Sequence, residues 1–403
     1  MNKNMKIVAA LMSIGLVSPM AYATNGDEMM SVGSQSTALG GTGVANFMGA
    51  ESVFANPAML GKSKGSELVG GVVFFDPKVT NTGFSGSTPA TSSAKPSVIP
   101  DISFSSRISD NLTYGIAMAG IAGMGVDYSG ATPVPAYVQA KTEMSILRVI
   151  PTIAYNDTDY GVGFSPVMQY GSLHITYAGS TTKDTEKDTA YGYSLGGYFN
   201  VMPSLTVAAA YQSAINMKYG TQLSEAGKGF GQVFADNLEQ PAEMKAGIAY
   251  TFAQNYTLTA DYKSIQWGSA KGYKEFGWKD QSVIAVGGKY AGNGYWLGLG
   301  YNSANDPIGV YANGAVLTPN GNNGGVVNFF NNMMFPAIVK DAVTFGGGYS
   351  ITKALDVEAS GMIASEVKKT VDVSDAAMAP PGTLRNTTTH SQTSYSVSLR
   401  YKF

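Results

Sequence analysis

Tyr395-Ser396-Val397-Ser398-Leu399-Arg400-Tyr401-Lys402-Phe403 ends the chain and alternates with period two. Tyr395, Val397, Leu399, Tyr401 and Phe403 fall on one face, with Ser396, Ser398, Arg400 and Lys402 on the other. Successive side chains of a β-strand point to opposite sides, so this pattern specifies a strand with one apolar and one polar face. In a membrane the apolar set must meet lipid, which leaves Arg400 and Lys402 to a polar lumen.

Working back from that strand, one unit repeats from about Gly65. Strand-like runs meet short polar turns at Ser109-Asp110-Asn111, Asn156-Asp157-Thr158, Asn200 to Ser204, Gln254-Asn255, Ala291 to Gly294 and Thr352-Lys353. Between these hairpins lie longer connections, among them Pro77 to Ile99, Gln222 to Pro241, Asn302 to Lys340 and Glu366 to Thr389. Short turns on one side and long loops on the other describe a transmembrane barrel whose long loops are extracellular. The runs count to fourteen, an even number that leaves both ends of the barrel on the periplasmic side. Closure is required, because lipid cannot satisfy an open sheet edge. The fold class is therefore all-β, a 14-stranded antiparallel transmembrane β-barrel. Phe403 closing such a strand is similar to the sorting signal that the barrel-assembly machinery of the outer membrane reads.

The other end of the chain fixes the compartment. Lys3 and Lys6 precede an apolar run from Ile7 to Val17, and Ala21-Tyr22-Ala23 follows, which reads as a signal peptide over residues 1–23. Downstream no run of 18 apolar residues occurs, so a helical membrane protein is excluded. Only 13% of residues are charged, and there are 49 Gly and 24 Tyr. Soluble domains carry nearer ~25% charged residues, whereas lipid-facing strands with amphipathic aromatic rims need few. Losing Lys3 and Lys6 takes the formal net charge from −2 to −4, and no basic tract remains for nucleic acid. These features place the mature chain in the outer membrane of a Gram-negative bacterium, surrounded by outer-membrane lipids and working as a monomer. Residues 24–64, polar and Gly-rich, precede the barrel of residues 65–403. A barrel of fourteen strands needs a water channel or a plug, and this segment has a plug's size.

Few residues advertise chemistry. His174 and His390 are far apart, Cys is absent, and no metal-ligand cluster or nucleotide motif occurs, so no catalytic residue, metal or cofactor is assigned. Asn56-Pro57 reads as a rigid turn, since proline fixes its own φ and biases Asn56 away from the α region. Val326 to Phe335 is too apolar for a solvated loop. Phe329, Phe330, Met333 and Met334 would share one face of a short helix. With Phe230 and Phe234 from a second loop they form a candidate entry groove for a hydrophobic substrate, the alternative being packing of loop on loop. Gly120, Gly123 and Gly125 mark a candidate bend in the third strand. Arg148 is a candidate contact for a substrate carboxylate, because guanidinium geometry suits that group; pairing with another lumen side chain is the alternative.

The segment Gly33 to Leu60, GSQSTALGGTGVANFMGAESVFANPAML, ends in Asn56-Pro57-Ala58. It resembles the hatch of the FadL/OmpP1/TodX family of outer-membrane transporters. Further similar stretches follow in family order: Pro151 with Ile153-Ala154-Tyr155, Tyr160-Gly161-Val162-Gly163, Ala210-Tyr211-Gln212-Ser213, Trp267, Trp278-Lys279-Asp280, Asp306-Pro307 and Phe403. Gln212 departs from the family's basic residue at that place. The resemblance implies a barrel plugged by an N-terminal hatch that contains Asn56, Pro57 and Ala58. It also implies passive uptake of hydrophobic compounds, captured outside and released after the hatch shifts. A side exit at a kinked strand is assigned to Gly120, Gly123 and Gly125. Long-chain fatty acids are the expected substrate. The alternatives are aromatic hydrocarbons, a general porin, or a structural or adhesive surface barrel.

Overall fold

The computed structural model describes residues 25–84, 86–133, 137–180, 184–317 and 320–403. The expected signal peptide lies outside the described residues. Fourteen antiparallel strands form one closed sheet, to which a two-residue strand, Ala90–Thr91, adds on the first at Thr80 and Asn81. They are β1 Glu67–Asn81, β2 Ser97–Arg107, β3 Leu112–Asp127, β4 Lys141–Asn156, β5 Tyr160–Thr176, β6 Glu186–Met202 and β7 Leu205–Gln212. After a long connection come β8 Glu243–Phe252, β9 Tyr256–Ile265, β10 Gln281–Ala291, β11 Tyr295–Ala304, β12 Asp341–Ser350, β13 Leu355–Asp372 and β14 Arg385–Lys402. Each strand pairs with its chain neighbours, and β1 closes onto β14 from Glu67↔Lys402 to Asn81↔Thr388. The closure pairs the β1 and β14 edges that lipid would otherwise leave open.

The terminal alternation holds in three dimensions. Tyr395, Val397, Leu399, Tyr401 and Phe403 point outward and are exposed on the isolated chain, while Ser396, Ser398 and Arg400 are buried inside. Aromatic rings crowd the end with the short turns, where Tyr250, Phe252, Tyr256, Tyr290 and Tyr295 stack from strand to strand. That is the interfacial girdle expected of amphipathic rings. All six short turns fall between paired strands, and at one of them Ala253 and Gln254 adopt φ of 46° and 62° to reverse the chain.

Two expected loops are shorter than the sequence suggested. β1 continues through Pro77–Asn81, and β13 and β14 stay paired to Asp372↔Arg385, so much of Glu366 to Thr389 is ladder. Outside lipid a strand needs no apolar face, and residues such as Lys368, Lys369 and Thr370 hide such an extension from pattern reading. Above the barrel two helices, α2 Gln222–Gly229 and α3 Gly324–Met334, pack within the long loops. A shorter one, α1 Ser34–Ala38, lies in the N-terminal segment.

Candidate functional site

Inside the barrel, residues 25–64 fill the lumen and meet the wall where it carries no side chains. Asn56 is extended, at φ −155° and ψ 113°, and caps the turn Pro57–Lys62. Its Oδ1 accepts from the Ala58 N–H at 3.0 Å, while its Nδ2 donates to the carbonyls of Val44 (2.8 Å) and Gly197 (3.3 Å). A Cβ at Gly163 would lie 2.4 Å from the Ala58 nitrogen, and one at Gly196 1.9 Å from Asn56 Oδ1. Leu39 and Gly40 dock the same way on the opposite wall: a Cβ at Gly300 would lie 2.1 Å from the Gly40 nitrogen. Gly40 itself sits at φ 75°, which glycine adopts without steric cost. Two glycine-lined dents thus seat the hatch.

Charge fixes it as well. Arg400 donates to Glu51 of the hatch at 2.7 Å, to Glu67 of β1 at 2.9 Å and to Glu358 of β13 at 3.2 Å. Arg400, Glu51 and Glu358 are each at most 3% exposed. Glu67 also accepts from the Ala50 N–H. Arg400 therefore faces the lumen as its place in the terminal strand requires, and there it ties the hatch to both sides of the barrel seam.

Farther up, the wall itself is incomplete. β2 and β3 pair only from Arg107↔Thr113 to Asp101↔Ala119, and a bulge interrupts β3 between Gly120 and Ala122. Above it the edge of β3 is taken by the N-terminal segment. The Met29 N–H donates to the Ile121 carbonyl at 2.8 Å, and the Gly123 N–H to the Asp27 carbonyl at 2.9 Å. Gly120 thus borders the bulge and Gly123 holds the hatch, while Gly125 pairs regularly with Glu143.

Next to this seam lies a cavity of about 80 Å³ bounded by Met30, Val53, Phe54 and Ile121 on its apolar side and by Arg148, Glu243 and Lys263 on its polar side. Arg148 does face the lumen. Its Nε donates to Gln169 Oε1 at 2.8 Å, and its terminal nitrogens lie 3.9 Å from Glu28 and from Glu243. Glu243 also pairs with Lys245 (3.2 Å) and Lys263 (3.5 Å). The carboxylates beside Arg148 are the protein's own, as the second sequence reading allowed. Among the described residues no group of three His, Asp or Glu side chains could hold a metal ion.

The two apolar loops do come together, but as a closed cap. α3 presents Phe329, Phe330, Met333 and Met334 inward, each at most 1% exposed, instead of along an open groove. Phe330 meets Phe234 at 5.0 Å, Phe276 at 5.3 Å and Phe230 at 5.9 Å between ring centroids. Loop packs on loop because four large apolar side chains left in water would each forfeit roughly 1.5–3 kcal/mol. Sequence reasoning gave no role to the neighbouring trio Trp267, Tyr273 and Trp278, whose rings lie 4.6–5.0 Å apart. Trp267 covers the hatch at Gly26, where an added Cβ would lie 2.5 Å from the indole. Tyr273 donates its hydroxyl to the Asp27 carboxylate. Two of the chain's three Trp residues in one short loop region were the available signal.

The family model for outer membrane transport proteins of the OMPP1/FadL/TodX type matches residues 17–302. The chain belongs to that family. It is thus a multi-pass outer-membrane barrel that passes hydrophobic compounds without catalysis. A Pseudomonas aeruginosa FadL homologue is similar in structure, with 15% identity, a TM-score of 0.69, and 96% of this chain and 100% of that chain covered. The Pseudomonas putida toluene transporter TodX gives 17%, 0.65, 96% and 100%. The Ralstonia pickettii toluene transporter TbuX gives 17%, 0.63, 93% and 99%. At these identities the likeness is one of fold. Among curated protein sequences no match is found.

Proposed function

We propose that the protein is a passive uptake channel for small aromatic hydrocarbons. The observation that carries the reading is the cap. Trp267, Tyr273 and Trp278 pack ring against ring with Trp267 and Tyr273 on the N-terminal segment, and Phe276 and Phe330 pair within the same buried apolar cluster; offset or edge-on ring contacts favour a planar aromatic guest. Solved structures of this fold include toluene transporters and monoaromatic hydrocarbon channels, which supports aromatics over the fatty acids expected from sequence. Phe329, Phe330, Met333, Met334, Phe230 and Phe234 would then act as a cap that parts for the guest, Met supplying adaptable surface. A cavity that binds benzene measures about 150 Å³; the 80 Å³ here requires the hatch to move first. The exit is the stretch where β3 leaves β2, beside Gly120 and Gly123. A long-chain carboxylate is the second reading, favoured by Arg148, Lys245 and Lys263 at the cavity.

The chain would work alone, delivered to the membrane by assembly machinery that reads the strand ending in Phe403. In cells carrying a cytoplasmic toluene-oxidising reporter limited by entry, expression should raise the initial rate at subsaturating toluene several-fold. Substituting Phe276 and Phe330 by Ser should reverse most of that gain at matched surface expression. An equal gain with palmitate and none with toluene would transfer the proposal to fatty acids.

A further inference from the structure

The hatch begins with two adjacent carboxyls, Asp27 and Glu28, that have no surface exposure to speak of. Their backbone is what completes the edge of β3, through the Asp27 carbonyl on Gly123 and the Met29 N–H on Ile121. Asp27 is faced by Tyr273 from the β9–β10 loop, by Gln240 and Tyr219 from the β7–β8 connection and, farther off, by Arg148 of β4. It has neutral hydrogen-bond donors but no close cation: Gln240 Nε2 lies 3.3 Å away, and the nearest partner is a hydroxyl. Glu28 is faced by Glu243 and Lys245 of β8, Arg148 of β4 and Lys263 of β9, and all three cations are also engaged by Glu243. Its nearest cation is 3.9 Å away and already shared with Glu243. One of its oxygens has no hydrogen-bond partner.

We propose that Asp27 and Glu28 form a proton-dependent latch: protonated, they keep the segment Asn25–Met29 on the free edge of β3, and ionised, they release it. Two buried carboxyls with so little cationic compensation resist ionisation, because the charged forms are poorly solvated there. Burial pushes Asp27 up to about 7, against the hydrogen bonds of Tyr273 and Gln240, and pushes Glu28 up to about 8, with Glu243 adding to the rise and Arg148 opposing it. Once released into water, both groups return to ordinary carboxylate values of about 4. The docked segment therefore binds more protons than the free one. Docking is strongest below about pH 4 and weakens as the pH rises through about 7 and then about 8.

The latch rests on the seam between β2 and β3 being the gate, and the test separates the two. In the mature protein in detergent, Trp267 is packed against Gly26, so iodide quenching of its fluorescence reports release of the segment. Between pH 6 and pH 8 the released fraction should rise at least ~10-fold. In the double variant Asp27→Asn with Glu28→Gln it should stay at the low-pH value throughout, with heat-modifiable migration confirming a folded barrel. If the double variant does not fold, each single variant should remove part of the pH dependence. A flat wild-type profile, or an unchanged slope in folded variants, overturns the latch. If quenching follows pH while toluene uptake does not, the latch stands and the exit route falls.

Discussion

Deleting Thr24 to Lys64 should convert a nearly closed barrel into an open pore, with conductance in planar bilayers rising on the order of ten-fold or more, as expected of an unplugged barrel this wide. The deleted residues supply Asn56, Pro57 and Ala58 against Gly163 and Gly196, and Leu39 and Gly40 against Gly287 and Gly300. No other described segment of that size occupies the lumen below the loop cap, and the fourteen-strand ladder closes through β1 and β14 without it. The barrel should therefore still form, as heat-modifiable migration would show. A folded deletion protein with unchanged conductance would mean that the loop cap, and not the hatch, closes the channel.

Arg400→Met should cost roughly 3–5 kcal/mol, the range for removing one partner of a buried ion pair. The guanidinium holds Glu51, Glu67 and Glu358 within 3.2 Å. Methionine would fill part of the volume but leave like charges crowded in a dry site. The loss should appear as a lower midpoint in urea unfolding and as conductance flicker, because Glu51 belongs to the hatch while Glu67 and Glu358 belong to the wall. Replacing Lys402 should cost far less: it pairs only with Asp356 at 2.5 Å and is half exposed, where ion pairs are worth little. Equal stability of Arg400→Met and the native chain would show that the cluster positions the hatch without stabilising it.

The last strand was fully legible because one rule governs it: period two, with lipid outside and water inside. Turns such as Ser109-Asp110-Asn111 were legible for the same local reason. The hatch could be placed by the stretch ending in Asn56-Pro57-Ala58, yet its docking partners Gly163, Gly196 and Gly300 lie far along the chain, and nothing local marks them among so many glycines. Arg400 could be assigned to the lumen, but its three carboxylates come from hatch, first strand and thirteenth strand. The apolar face of α3 was read correctly as a helix face. Its burial was not, since exposure depends on Phe234 and Phe276 arriving from other loops. Arg148 likewise looked free for a substrate because Glu28 and Glu243 are distant in sequence. The substrate class was least legible. The cap rings Trp267, Tyr273 and Trp278 assemble only in three dimensions.

Crystals of the protein soaked with bromobenzene would test the transport reading most directly. The account predicts a bromine anomalous peak inside the lumen, between the rings of Trp267 and Phe330 above and the apolar side of the cavity at Met30, Phe54 and Ile121 below, with residues 25–29 displaced from β3. Bromine found only on the outer, lipid-facing wall, with the segment still hydrogen-bonded to Ile121 and Gly123, would contradict it.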